Sequence, residues 1–221
     1  MIKAIFFDID DTLFPSTDFS TLARRNAINA MIGIGFPGEY DEIETKLKKI
    51  IAAKGSNYQN HFDILCREFK VKRPARFVAA AVAAYHDTKT AIAPFPEVPR
   101  TLMELRERGY RLYVATNGNA VKQWDKLIRL RIALYFDDVF VSEEVGREKD
   151  KEFFKIILKQ LLLSPMSCVM VGDREEADIA PALAAGMNAI RYRAGKYGKT
   201  ATKADFTIRN FDGIIRIMER L

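Results

Sequence analysis

The chain contains 221 residues, of which 48% are hydrophobic and 29% are charged. This length suits one core domain with a modest insertion, and the composition excludes disordered and low-complexity classes because it can bury a sizeable core. Lysine and arginine outnumber aspartate and glutamate by 35 to 29, and the net charge of +6 permits attraction to anions without requiring nucleic acid.

The sequence pattern favours a soluble, cytoplasmic protein. Asp8 follows Met1 too soon for the apolar region of a signal peptide. The longest small-apolar stretch, residues 77–84, is far shorter than the roughly 20 residues needed to span a bilayer. Cys66 and Cys168 cannot form a disulfide framework, so a reducing cytoplasm is the expected compartment, with no membrane or nucleic-acid partner.

Three short apolar runs predict strands that are buried on both faces: AIFF at 4–7, LYVA at 112–115 and CVMV at 168–171. Weaker strand candidates occur at 139–141 and 188–192. Helical patterns alternate with these runs, which predicts an α/β fold with a doubly wound parallel sheet. The predicted helices of this part of the chain are 96–108, 119–130, 150–162, 176–185 and 212–221.

Residues 17–92 interrupt the alternation because they contain helical patterns and no strand candidate. We therefore predict a core domain of residues 1–16 and 93–221 and an inserted, all-helical cap domain of residues 17–92. The helices predicted in the insertion are 18–32, 41–53, 58–69 and 74–90.

Two carboxylates follow the first apolar run. Asp8 ends the run, and Asp10 would point to the same face if the strand continued. Close carboxylates repel each other, so burying them requires a cation or a shared proton, and hard oxygen ligands favour Mg²⁺. The competing interpretation is a plain strand end followed by a turn that Asp11 or Thr12 caps.

Polar residues also follow the next two buried runs. Thr116 and Asn117 could bind phosphoryl oxygens or simply cap a helix, and Asp173 and Asp178 could serve a metal or a loop. Lys149 lies in a charged tract before a helix, and such tracts are usually solvated. Because ligands bind at the carboxyl ends of parallel strands, these groups together with the first two acids favour phosphoryl transfer.

These motifs resemble those of the haloacid dehalogenase (HAD) superfamily, and the resemblance covers essentially the whole chain. They are DIDDT at 8–12, Thr116-Asn117-Gly118, a lysine shortly after Gly146, and GDREEAD at 172–178. The helical insertion resembles the cap of subfamily I. The opening MIKAIFFDIDDTLFP and the cap segment LARRNAINAMI are similar to archaeal phosphatases that act on glyceraldehyde 3-phosphate.

The resemblance implies catalytic and metal-binding roles. Asp8 would be the nucleophile that forms an aspartyl-phosphate, and Asp10 would protonate the leaving oxygen and then activate water. Mg²⁺ would be held by Asp8, by the backbone carbonyl of Asp10 and by Asp173, with Asp178 supporting the metal site.

The resemblance also implies that Thr116, Asn117 and Lys149 bind the phosphoryl group. The family's third motif often reads Lys-Pro-Asp-Pro, whereas Lys149 is followed here by Asp150 and Lys151, which leaves Lys151 as a rival. Trp124, at helical spacing after the second motif, is expected to pack in the core.

The function predicted from these residues is Mg²⁺-dependent hydrolysis of a small phosphorylated metabolite, such as the triose phosphate glyceraldehyde 3-phosphate. A sugar phosphomutase or a phosphonatase of the same superfamily is the alternative, as is a non-catalytic binding protein on this fold. Asp10 disfavours a dehalogenase, because a halide leaving group needs no proton. The oligomeric state is left open by the sequence.

Overall fold

The computed structural model describes residues 1–56, 58–193 and 197–221. These residues form two compact units. One unit comprises Met1–Thr17 together with Ala93–Leu221, and the other comprises Asp18–Ile92. The first contains the sheet and the second is helical, so the helical unit is inserted after the first strand.

The helical unit is held together by its own apolar cluster. Ile28, Ile43, Leu47, Leu65 and Phe77 are buried in it, and each comes from a helix face with apolar residues at helical spacing. The helices are α1 (Ser16–Gly33), α2 (Tyr40–Lys54), α3 (His61–Glu68) and α4 (Pro74–Thr88), followed by a 3₁₀ turn at Lys89–Ala91.

The sheet unit confirms the predicted doubly wound parallel α/β fold. Its six strands are parallel and lie in the order β3-β2-β1-β4-β5-β6. The strands are β1 (Ala4–Phe7), β2 (Arg111–Thr116), β3 (Asp138–Val141), β4 (Cys168–Gly172), β5 (Asn188–Tyr192) and β6 (Phe206–Ile208). Strand β6 was not predicted, because three residues with an exposed central threonine carry too short an apolar pattern.

Helices cover the sheet and explain why the central strands are apolar along their whole length. Every residue of β1 and β4 is buried, and Phe153, Phe154 and Ile157 pack against one face. The helices are α5 (Val98–Glu107), α6 (Ala120–Arg129), α7 (Ser142–Val145), α8 (Lys151–Gln160), α9 (Ala180–Ala184) and α10 (Gly213–Met218). Among the described residues, no helix has the length and apolar character that crossing a bilayer requires.

The strand order places a crevice at the carboxyl ends of β1 and β4. From β1 the chain continues to β2 and β3 on one side, whereas β4, β5 and β6 lie on the other side. The loops that leave β1 and β4 therefore diverge, and this is where ligands bind in open α/β sheets. The Asp8 amide donates to the Val171 carbonyl at 3.0 Å, which joins the two strand ends directly.

Candidate active site

The turn after β1 gives the two carboxylates of the first motif different exposure, although the charge of Asp10 still raises the pKa of Asp8. The strand ends at Phe7, so the condition for Asp8 and Asp10 to share a face is not met. Asp8 is buried, whereas the Asp10 side chain is 38% exposed. Asp11 adopts a left-handed φ of 55° and accepts hydrogen bonds from the Thr17 amide and hydroxyl at 2.9 and 2.5 Å. Each acid therefore has a different environment.

Lys149 is the cation of the crevice. Its Nζ lies 2.7 Å from Asp8 Oδ1 and 2.5 Å from Asp178 Oδ1, and it donates to the Ala115 carbonyl at 2.9 Å. All three donors of the ammonium are thus used in a site where its side chain is 1% exposed. Lys151 is the exposed first residue of α8, so Lys149 is the lysine that lies beside Asp8.

The loop that carries Lys149 is shaped without the proline common in the family. Gly146 ends α7 with a left-handed φ of 81°, and the Asp150 side chain caps α8 by accepting from the Phe153 amide at 2.8 Å. Asn117 Oδ1 accepts from the Lys149 amide at 2.7 Å. The Asn117 side chain therefore links the end of β2 to this loop.

Asp173 follows β4 and is the least satisfied group of the site. It is 1% exposed, and within the described part of the chain neither carboxylate oxygen has a hydrogen-bond partner. Burial, together with the negative charges of Asp178 and Asp8, raises its pKa to about 8. A buried carboxylate without a donor indicates a missing positive charge.

Asp178, in contrast, is held on both oxygens. Its Oδ2 accepts from the Arg174 amide at 2.8 Å and its Oδ1 faces Lys149. The π-helical turn Glu175–Ile179 widens the chain enough to return the side chain to the strand end. There it packs so closely on Gly172 that a Cβ atom at this position would overlap it, which explains the glycine before Asp173.

The electrostatics of the cluster combine burial with like charge. Asp8, Asp173 and Asp178 each offer one carboxylate oxygen within 4.8 Å of the others. Burial raises the pKa of Asp8 to about 6, although Lys149 lowers it. For Lys149, burial lowers the pKa, but the carboxylates of Asp178 and Asp8 outweigh burial and raise the value above the ordinary one. One lysine thus faces three acids, and the oxygen donors suit a hard divalent cation.

Thr116 ends β2 at the same edge, and two residues of α6 that sequence reasoning missed lie beside it. Gln123 Nε2 donates to Thr116 Oγ1 at 3.0 Å, and Lys126 Nζ lies 2.6 Å from Asp10 Oδ2. Trp124, expected in the core, is instead 36% exposed, because α6 turns its neighbour Gln123 inward. The sequence signal that could have identified Gln123 and Lys126 is their spacing of three residues, which places both polar side chains on one face of the helix after the second motif.

The comparison with protein families agrees with this arrangement. The model of haloacid dehalogenase-like hydrolases matches residues 2–186. The chain belongs to this family. Its fold is similar to that of a HAD phosphatase from Thermococcus onnurineus, with a TM-score of 0.71, 24% identity and coverage of 98% of both chains.

Two curated relatives match almost the full chain. The glyceraldehyde 3-phosphate phosphatase of Methanopyrus kandleri is 45% identical over 96% of this chain and 93% of its own. The glyceraldehyde 3-phosphate phosphatase of Methanocaldococcus jannaschii is 42% identical over 100% of this chain and 99% of its own. The family and these relatives make the chain a phosphoric monoester hydrolase, as the sequence predicted.

Proposed function

We propose that this enzyme is a Mg²⁺-dependent phosphatase that hydrolyses a small phosphorylated metabolite through an aspartyl-phosphate on Asp8. The observation that carries the proposal is the pairing of a buried, unsatisfied Asp173 with an Asp8 carboxylate held by Lys149. The oxygens of Asp173 are not used by any described donor, and Asp8 is a carboxylate fixed at the carboxyl end of a central strand. Together they provide a nucleophile and a place for the charge that must offset an anionic substrate.

The buried acids fit magnesium. Asp173 offers two carboxylate oxygens without partners in the described chain, and Asp8 keeps Oδ2 when Lys149 binds its Oδ1. We assign Asp8, Asp173 and the Asp10 carbonyl as ligands, with Asp178 supporting the site because its own oxygens are occupied. When bound, the ion would neutralise carboxylate charge and polarise a phosphoryl oxygen.

Asp8 attacks phosphorus in the first step of the proposed mechanism. A carboxylate oxygen forms the new bond to phosphorus while the bond to the leaving oxygen breaks, and Asp10 donates its proton to that oxygen. Lys149 balances negative charge beside Asp8, and the Thr116 hydroxyl and the amides near Asn117 orient the phosphoryl oxygens. The products of this step are the alcohol and an acyl phosphate on Asp8.

Water completes the cycle in the second step. The ionised Asp10 takes a proton from a water molecule as that water attacks the phosphorus, and the bond between phosphorus and the Asp8 oxygen breaks. Inorganic phosphate leaves, Asp8 is again a carboxylate and Asp10 is again protonated. The partly exposed position of Asp10 supports this role, because the group must reach both a substrate oxygen and solvent.

Among small metabolites we propose a triose phosphate as substrate, with glyceraldehyde 3-phosphate the first candidate. The support is the name shared by relatives of 45% and 42% identity that align along nearly the whole chain, the helical unit included.

A metal-dependent phosphate-release assay tests the proposal. The protein is stripped with a chelator and assayed with and without Mg²⁺ on triose, sugar, nucleotide and aryl phosphates, and acid-quenched samples are digested to locate a phosphoryl group. We expect Mg²⁺-dependent turnover, highest with triose phosphate, and a phosphoryl group on the peptide that contains Asp8. Asp8→Asn should lower kcat/KM by at least about 10³-fold.

Asp138→Asn is the matched control, because Asp138 is an exposed acid at the start of β3, the opposite edge of the sheet. It should retain the wild-type kcat/KM. Turnover that survives Asp8→Asn, or a complete lack of phosphate release from every ester, would contradict the proposed function.

A further inference from the structure

Helix α6 presents two polar side chains to the site from one face. Gln123 and Lys126 are three residues apart, so they lie side by side one turn along the helix. Gln123 is 2% exposed and the Lys126 side chain 27% exposed, although both could reach solvent on an ordinary surface helix. Lys126 contacts Asp10, which is the proton donor of the proposed mechanism. Gln123 contacts Thr116, which binds a phosphoryl oxygen in that mechanism.

Lys126 fixes the carboxylate of Asp10. Its Nζ lies 2.7 Å from Oδ1 and 2.6 Å from Oδ2, so one ammonium contacts both oxygens. A half-exposed ion pair of this kind contributes little to stability. It does, however, select one orientation for a side chain that would otherwise sample several rotamers at the end of a turn. This double contact belongs to the ionised carboxylate, the form that takes a proton from water in the second step. In the protonated form that the first step requires, Lys126 can hold one oxygen of Asp10, and the other oxygen carries the proton toward the leaving oxygen.

Gln123 determines the direction of the Thr116 hydroxyl. Its Nε2 lies 3.0 Å from Thr116 Oγ1 and 2.5 Å from the Asn117 carbonyl, and that carbonyl identifies the atom as the donating amide nitrogen. Because Thr116 Oγ1 accepts from Gln123, its own proton must point elsewhere, and it donates to the Asn117 carbonyl at 3.5 Å. That contact is long enough for a phosphoryl oxygen to replace it. Gly118 leaves room for this amide, since a Cβ atom there would lie 3.1 Å from Nε2.

The same amide nitrogen lies near Asp10, although its two hydrogens are directed to Thr116 and to the Asn117 carbonyl. Gln123 Nε2 lies 3.5 Å from Asp10 Oδ2, the oxygen that Lys126 also contacts. The two α6 side chains thus connect Thr116 at the end of β2 with Asp10 after β1. A shift of α6 would therefore move a phosphoryl-binding group and a proton donor together.

We infer that Gln123 and Lys126 are a positioning pair, in which Lys126 orients Asp10 toward the leaving oxygen and Gln123 makes Thr116 a hydrogen-bond donor to the phosphoryl group. The inference rests on the proposed function, in which Asp10 is the general acid. Neither side chain touches the reacting atoms in this scheme. The effect of Lys126 should consequently depend on the leaving group, because proton donation matters only when the leaving oxygen is basic. The effect of Gln123 should be the same for every ester, because all of them carry the phosphoryl group.

A series of phosphate monoesters with leaving groups from dinitrophenol to simple alcohols tests the inference. Lys126→Met should lower kcat/KM about 10²-fold for alkyl phosphates and less than about 3-fold for dinitrophenyl phosphate, which leaves without a proton. Lys126→Arg should restore most of the loss. Gln123→Leu should lower kcat/KM roughly 10-fold for every ester and weaken inhibition by inorganic phosphate by a similar factor.

Arg129→Met is the control on the same helix, because Arg129 forms an exposed i, i+4 pair with Asp125 at 2.7 Å. It should leave the dependence on leaving group unchanged. If Lys126→Met lowers the rates of all esters equally, or of none, the role of Lys126 is wrong. If that variant does not fold, Lys126→Arg and Lys126→Gln decide, and equal leaving-group dependence in both contradicts the inference.

The two proposals fail in different ways. A wild-type enzyme that hydrolyses no phosphate monoester would contradict the proposed function. An active wild-type enzyme whose Lys126→Met variant keeps the wild-type dependence on leaving group, or whose Gln123→Leu variant keeps the wild-type inhibition by inorganic phosphate, would contradict only the positioning pair.

Discussion

The two units treat buried polar groups in opposite ways. In the described part of the helical unit, Thr88 is the one buried polar side chain, and it donates to the Ala84 carbonyl at 2.8 Å and accepts from Asn26 at 3.0 Å. The sheet unit buries Asp8 and Lys149 as an ion pair, and none of its described residues donates to either oxygen of Asp173. The buried polar side chain of the helical unit is thus hydrogen-bonded within that unit, whereas the sheet edge holds a buried carboxyl group that loses its proton readily only when a cation binds.

This difference indicates that the protein loses folding stability at the carboxyl ends of its strands, where the groups proposed for catalysis lie. Burying a charge without a partner costs free energy, and natural folds keep such groups mainly where activity requires them. The unsatisfied acid lies at the diverging loops of the sheet, where a ligand can reach it. Substitutions at the sheet edge should therefore change stability in a way that depends on charge and metal, and substitutions in the helical unit should not.

The largest expected effect is that of Lys149→Met. Removing the ammonium leaves three buried carboxylates with no cation, so the free energy of unfolding at neutral pH should fall by about 3–5 kcal/mol. Denaturant unfolding of the chelator-treated protein measures the loss. Lys151→Met is the control, and because Lys151 is exposed its effect should stay within about 0.5 kcal/mol. Equal stability of the two variants would refute the account of the buried cluster.

The next effect is the pH dependence of metal binding. The pKa of Asp173 is raised to about 8, so below that pH a bound proton competes with Mg²⁺ at this carboxylate. The apparent affinity for Mg²⁺ should increase up to about 10-fold per pH unit between pH 6 and 8 and then level off. Titration calorimetry in buffers of different ionisation enthalpy should detect proton release. Asp173→Asn should abolish that release, and a pH-independent affinity would contradict the prediction.

The stability of the metal-free protein should decrease as the pH rises, whereas the affinity for Mg²⁺ increases. The folded-state pKa values of Asp8 and Asp173 are about 6 and about 8, above the ordinary value of 3.8. Between about pH 4 and pH 8 the folded chain therefore binds more protons at these two groups than the unfolded chain does. The free energy of unfolding contributed by these groups is therefore present below pH 4 and is lost as the pH rises to about 8. Thermal unfolding with chelator and with Mg²⁺ measures it, and we expect the two curves to separate as the pH increases.

The smallest expected effect is that of Thr88→Val in the helical unit. The change removes two hydrogen bonds but leaves no charge unpaired, so the free energy of unfolding should fall by roughly 1 kcal/mol at every pH. Thr90→Val, at an exposed position, is the control and should have less effect. A loss from Thr88→Val that varied with pH or with Mg²⁺ would break the contrast between the units.

Local sequence patterns were sufficient for most of the architecture. Strands buried on both faces appear as continuous apolar runs, so β1, β2 and β4 could be identified, and the helical insertion followed from a long segment without such runs. The strand β6 was missed because it is short and partly exposed. Trp124 was assigned to the core because helical spacing gives a periodicity but does not say which face the neighbouring strands will cover.

The sequence by itself determined the family, the parallel sheet and the residue types of the site, because apolar runs, turn residues and short motifs are local properties of the chain. Only the tertiary structure decided which groups meet. It buried Asp8 and left Asp10 partly exposed, paired Asp10 with Lys126 at a separation of 116 residues, and selected Lys149 over Lys151 as the lysine beside Asp8. The physical reason is that ion pairing and burial depend on distances across the sheet edge, which strand order and helix rotation determine together.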